Sequence, residues 1–158
     1  MISYVTGDAT VPVGGDPKII AHVCNDAGGW GRGFVVALSR RWPAPEAAYR
    51  AWYRQGDGFA LGAVQLVQVD EGLWVANMVA QRGVRATKAG PPIRYEAVSR
   101  CLETLADHAV ELGAGVHLPR IGCGLAGGTW DRIEPIIDEC LVKRDVQVTV
   151  YDLDDHPM

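Results

Sequence analysis

Residues 115 to 141 pass from a short apolar run, through four glycines packed into seven positions, into an amphipathic segment. The turn reads Pro119-Arg120-Ile121-Gly122-Cys123-Gly124-Leu125-Ala126-Gly127-Gly128-Thr129-Trp130. A strand that ends in glycines and re-enters a helix directs several backbone N–H groups into one small volume. Glycine allows φ > 0 and lets a ligand come close to the backbone. Unpaired N–H groups and the positive end of a helix dipole favour an anion, commonly a phosphate. The other reading is a tight turn that binds nothing.

A second cluster repeats the pattern. Asn25-Asp26-Ala27-Gly28-Gly29-Trp30-Gly31-Arg32-Gly33-Phe34 follows the strand-like run Ile19 to Cys24. Val35, Val36, Leu38 and Trp42 then suit a helix with one buried face. Two strand–loop–helix units suit a ligand with two phosphates.

Composition frames these loops. With 158 residues, 48% of them hydrophobic, the chain is expected to form one domain, residues 1–158, with its own core. The net charge of −4, with Lys18, Lys88 and Lys143 as the only lysines, argues against general nucleic-acid affinity. Arg40 and Arg41 belong on a solvated helix face. There is no run of 18 apolar residues, nor a basic segment leading into one near residue 1, so a cytoplasmic monomer without membrane contact is expected.

Cys24, Cys101, Cys123 and Cys140 have no metal-ligand spacing, and neither a metal nor a cofactor is expected. His22 and Cys24, two apart on a strand, share a face and read as packing. Cys123 could be a nucleophile only beside a base that lowered its pKa. A small residue in a crowded turn is the simpler reading.

Periodicity predicts strands over residues 2–6, 19–24, 73–79, 116–118 and 146–153; residues 63–69 break phase between Leu66 and Val67 but are β-rich, and Gly72 suggests a hairpin. Helices are expected over 35–41 and 45–54, and along the face Val98, Leu102, Leu105, Ala109 and Leu112. A further helix carries Ile133, Ile136, Ile137, Cys140 and Leu141, capped by Thr129 or Asp131. Pro135 leaves its start open, at Trp130 with an irregular first turn or near Glu134. Strands alternating with helices imply an α/β fold, a three-layer sandwich around a mixed, largely parallel sheet. Ligands of such sheets bind beyond the carboxyl ends of the strands, where both glycine loops fall.

Taken together, these segments resemble the macrodomain superfamily, in particular the branch that includes terminal ADP-ribose protein glycohydrolase. The resemblance runs through Thr6-Gly7-Asp8, Ile20-Ala21-His22-Val23-Cys24-Asn25, Gly31-Arg32-Gly33, Val75-Ala76-Asn77-Met78, Tyr95, Pro119 to Leu125 with Trp130, and Val148 to Tyr151. It implies an ADP-ribose site. Asp8, with Ala9 beside it, would accept a hydrogen bond from the adenine amine. Gly31, Arg32, Gly33 and Phe34 would bind one phosphate. Ile121, Gly122, Cys123 and Gly124, flanked by Pro119 and Leu125, would hold the other phosphate and the distal ribose. A bulky side chain at Gly122 is expected to block that cradle. Asn25 and Asp26 would meet the distal ribose, and Tyr151 and the residues after it would wall the adenine. Asp152, Asp154 and Asp155 read as a solvated acidic tail.

The resemblance also implies a catalytic lysine at the end of the central strand and an aspartate after Gly-Cys-Gly-Leu. Here those positions hold Ala80 or Gln81, and Ala126. Lys88 lies in the following loop and reads as a surface lysine. Without a Schiff-base lysine, hydrolysis would proceed by water attack at C1″ of the distal ribose, with Asn25, Asp26 and Gln81 as candidates to position the water and Asp26 as the carboxylate base. ADP-ribosylated proteins, modified on acidic residues, are the implied partners. The alternatives are a non-catalytic ADP-ribose reader and an ADP-ribose 1″-phosphate phosphatase.

Overall fold

The computed structural model of the chain describes residues 1–153, so the expected tail residues Asp154 and Asp155 lie outside it. In chain order the elements are β1 (Ile2–Thr6), β2 (Lys18–Asn25), α1 (Phe34–Arg41), α2 (Ala44–Gln55), β3 (Val64–Asp70), β4 (Leu73–Gln81), α3 (Tyr95–Leu112), β5 (Gly115–Pro119), α4 (Trp130–Cys140) and β6 (Val148–Asp152). A 3-10 turn, Val142–Arg144, links α4 to β6.

The strands form one sheet in the order β1-β6-β5-β2-β4-β3. Among the strand pairs of the described residues, the β3–β4 hairpin alone is antiparallel, and its tight turn holds Gly72 at φ 69°. The other four pairings are parallel. Five strand ends therefore point to one edge. Along it stand, in order, the Asp8 segment, Tyr151 and Asp152, the second glycine loop, the first glycine loop, and Gln81. Four interstrand steps separate the first from the last, about 19 Å at the usual spacing.

Strand alternation divides the core in two. Ile19 and Ala21 of β2, with Ala76, Met78 and Ala80 of β4, pack beneath α3 and α4. Ile20 and Cys24, with Val75, pack on the other face against Leu38 of α1 and Tyr49 of α2. This is the expected three-layer arrangement.

Helix α4 resolves the question that Pro135 leaves open. It starts at Trp130 and runs through the proline. The N–H groups of Arg132 and Ile133 both reach the Thr129 carbonyl, each at 3.1 Å, so the first turn is tightened rather than absent. The expected side-chain cap is not formed by Thr129 or Asp131. Thr129 instead donates its backbone N–H to the Tyr95 hydroxyl at 3.2 Å.

Candidate functional site

The first glycine loop is shaped by Asn25, buried at the end of β2. Its Oδ1 accepts the N–H groups of Ala27 at 2.9 Å and Gly29 at 3.0 Å, while its Nδ2 donates to the Gly29 carbonyl at 2.9 Å. The Tyr49 hydroxyl donates to the Asn25 carbonyl at 2.6 Å, pinning the loop to α2. An asparagine suits this turn because its amide can satisfy both kinds of backbone group. The loop ends at Gly33, φ 80°, directly before α1. Helix α1 has no side-chain cap and no acidic residue in its first turn. Its leading N–H groups and dipole therefore face the loop without a competing carboxylate.

The second loop is drawn tight by a hydrogen bond from Gly128 N–H to the Gly122 carbonyl, 2.7 Å. Gly122 has φ 72°, and a Cβ there would lie 2.8 Å from Ile93 Cδ1. A side chain at Gly122 would thus drive into Ile93 and Ile133 behind the loop, not fill the cradle as expected from sequence. Gly124 is different. It has open space around its Cβ direction and lines the cavity. Arg120 braces the loop's base. It forks onto Asp152 at 2.6 and 3.0 Å and lies over the rings of Tyr4 and Trp130, 5.3 and 5.0 Å from their centroids. The Tyr4 hydroxyl receives the Trp130 indole N–H and donates to Glu134.

Because β5 and β2 are neighbours in parallel register, the two loops meet. A cavity of about 300 Å³ is lined by Asn25, Gly29, Trp30, Gly31, Val84 and neighbours. An adjoining one of about 200 Å³ is lined by Gly33, Phe34, Pro119, Ile121, Gly122, Gly124 and neighbours. Val23, Arg32, Gln81 and Leu125 line both. Cys123 is half-buried; burial raises its thiol pKa more than Arg120 lowers it, leaving no activated thiolate.

The other expected residues fall elsewhere. Asp8 accepts the backbone N–H and the hydroxyl of Thr10, each at 2.8 Å, and Ala9 is buried beside it. The Tyr151 ring is buried. Its hydroxyl receives the Val13 N–H at 2.9 Å and lies 2.7 Å from His117 Nδ1, tying down the segment between β1 and β2.

The three candidate water-positioning residues are differently placed. Asp26 accepts the Gly83 N–H at 2.7 Å, so its carboxylate already shapes the loop after β4. Asn25 is committed to its own loop. Gln81 is the one that borders both cavities, its Nε2 donating to the Gly83 carbonyl at 3.2 Å. A register shift sets Gln81 opposite Asn25 and leaves Ala80 fully buried in the core. Position 81, not 80, therefore stands where a side chain can enter the site. Ala126 lines the smaller cavity. Lys88 sits exposed on the turn closed by Thr87 and Gly90.

Trp30, His22 and Val84 are among the lining residues that the sequence did not mark as part of the site. Trp30 is wedged edge-on to His22, centroids 5.4 Å apart, with its indole N–H on Ser39 at 2.8 Å. A tryptophan between glycines is the available signal. His22 is buried, its Nε2 lying 2.6 Å from Oδ1 of Asn77, its neighbour in parallel register. Burial lowers its pKa to about 4 despite that bond, so it lines the cavity as a neutral imidazole. Val84 arrives from the loop after β4, with nothing in sequence to mark it. His22 and Cys24 do share a face, as packing.

No protein-family model matches the chain. A macrodomain protein from Streptomyces coelicolor is 60% identical, its structure matching with a TM-score of 0.85 over 96% of this chain and 99% of that one. The chromodomain-helicase-DNA-binding protein 1-like of Danio rerio is 34% identical over 95% of this chain, which spans only 15% of that protein's length. Human ADP-ribose glycohydrolase OARD1 is 24% identical, over 96% of this chain and 91% of that protein. An ADP-ribose 1″-phosphate phosphatase from Lodderomyces elongisporus is 26% identical, over 96% and 99%. With its identity to the Streptomyces protein extending over nearly the whole of both chains, this chain belongs to the macrodomain superfamily.

Proposed function

We propose that the chain binds ADP-ribose across the paired glycine loops and hydrolyses ADP-ribosyl linkages on proteins, acting as a single-domain cytoplasmic monomer. One observation carries this reading. Two glycine loops on adjacent parallel strands share cavity walls beside the uncapped start of α1. Backbone N–H groups converging there would grip a diphosphate from both sides. The names of the human and Lodderomyces relatives support the same nucleotide sugar and a hydrolytic reaction.

The sheet edge would orient the ligand. Adenine would lie toward Asp8 and Ala9, the diphosphate between the loops, and the distal ribose toward Asn25 and Gln81. In the reaction, water oxygen bonds to C1″ as the C1″–O bond to the protein's carboxylate breaks. The water's second proton leaves to solvent or to the departing carboxylate. Orientation supplies much of the barrier reduction for so labile an ester. Gln81 is the side chain best placed to hold the water, and no lysine-bound intermediate is needed.

Calorimetry with ADP-ribose tests binding, and release of free ADP-ribose from protein mono-ADP-ribosylated on glutamate tests turnover. Tight binding without release would make the protein a reader. The commitment of Asp26 to Gly83, and alanine at position 126, favour that second reading. Phosphate release from ADP-ribose 1″-phosphate identifies the phosphatase alternative.

A further inference from the structure

Val84 lines the larger cavity and also a depression of about 390 Å³ with Arg82, Arg85 and Arg94. Arg94 in turn borders a groove of about 750 Å³ that adds Arg100 and Arg132. Five arginines thus follow one another away from the site, and among the described residues Glu96 is the sole carboxylate in the lining. The chain as a whole carries −4, so this strip is a local reversal of sign. Among the described residues none of the five forms an ion pair. Two are held in place. Arg94 donates to the carbonyls of Pro91, Pro92 and Ile93, and Arg132 lies 3.9 Å over the Tyr95 ring.

We propose that this strip binds the acidic polypeptide segment flanking the ADP-ribosylated residue, so that substrates modified within Asp- and Glu-rich stretches are preferred. The proposal rests on the ADP-ribosyl-protein reading above. In that reading the distal ribose ends at Gln81, so the attached chain leaves past Val84, where the strip begins. Guanidinium forks match carboxylates in shape and charge. A single-stranded nucleic acid would need bare aromatic faces for stacking. The ring available in the groove, Tyr95, is covered by Arg132, and its hydroxyl receives the Thr129 N–H.

The test uses peptides carrying one ADP-ribose through a hydrolysis-resistant amide, flanked either by Asp and Glu or by Ser and Gly. Free ADP-ribose, an unmodified acidic peptide and a single-stranded DNA oligonucleotide complete the set. The wild-type chain is expected to bind the acidic-flanked peptide about tenfold more tightly than the neutral one at low salt, a gap that closes as salt rises. The double variant Arg85→Glu/Arg100→Glu should erase the gap and leave free ADP-ribose affinity unchanged. Equal affinity for the two modified peptides would overturn the proposal, as would stronger competition by the oligonucleotide than by the acidic peptide. Failure of free ADP-ribose to bind at all would sink the functional reading instead. Salt-sensitive binding of the unmodified acidic peptide, lost in the double variant, would then still establish the groove.

Discussion

His22 and the paired loop glycines show how much depends on single side chains. The imidazole is buried beneath the smaller cavity, and burial lowers its pKa to about 4 from an ordinary 6.5. Below pH 6.5 the unfolded chain takes up a proton here that the folded chain refuses until about pH 4. The stability is present above the ordinary pKa, is lost as pH falls between 6.5 and 4, and changes no further below that. A gap of this size corresponds to about 3 kcal/mol. His117, lowered to about 4 by burial and by the charge of Lys18, acts in the same direction. Urea midpoints near pH 7 and near pH 4.5 should therefore separate widely, and His22→Gln should remove about half of the difference. An unchanged separation would assign the acid sensitivity elsewhere. The glycines differ just as sharply. Gly122→Ala meets both a positive φ and Ile93, and should lose about 1–3 kcal/mol of stability. Gly124→Val meets open space, so it should fold normally yet intrude on the cavity and abolish ADP-ribose binding. Thermal melting and calorimetry on both variants separate the two effects; a Gly124→Val protein that binds normally would place the ligand elsewhere.

Among the elements, the joints between β5, β6 and α4 matter most, because they fix the second loop. Arg120, directly after β5, reaches β6 through Asp152, α4 through Trp130 and also β1 through Tyr4. Its ion pair is half exposed and adds little to stability. Arg120→Ala is expected to lower the melting point only slightly but to weaken ADP-ribose binding several-fold, by loosening the loop. An equal loss in Arg120→Lys would show that the planar fork and ring stacking, which lysine cannot reproduce, are what matter. At this scale the sequence was legible wherever periodicity decided the outcome. The helices and most strands follow from spacing, since burial on a sheet or helix face is a local pattern, while residues 63–69 were marked by β-rich composition and the hairpin by Gly72. The start of α4 was left open by Pro135, and one contact that fixes Thr129 there, its N–H on the Tyr95 hydroxyl, reaches 34 residues away. The partners of Asp26, Tyr151 and Gly122 were hidden for the same reason. Each contact joins segments remote in sequence, and nothing about an aspartate or a glycine names its neighbour.

In the whole molecule the candidate site straddles the sheet. Trp30, Val35 and Phe34 belong to the packing on the α1 and α2 face, whereas Ile121 and Ala126 belong to that on the α3 and α4 face. A ligand held by both loops would therefore clamp two cores that otherwise meet through the strands. At a free concentration of ADP-ribose one hundred times its dissociation constant, mass action adds about 2.7 kcal/mol to stability. For a chain of this size that should raise the melting point by about 5–10 °C. The distribution of the gain says more than its size. Binding confined to one loop would slow amide hydrogen exchange there alone. A diphosphate gripped from both sides should slow exchange together at residues 26–36 and 120–129, which meet at one edge but pack into opposite cores, and Gly124→Val should abolish both effects at once. Protection of residues 120–129 with residues 26–36 exchanging as in the free protein would mean that the first loop does not hold the ligand.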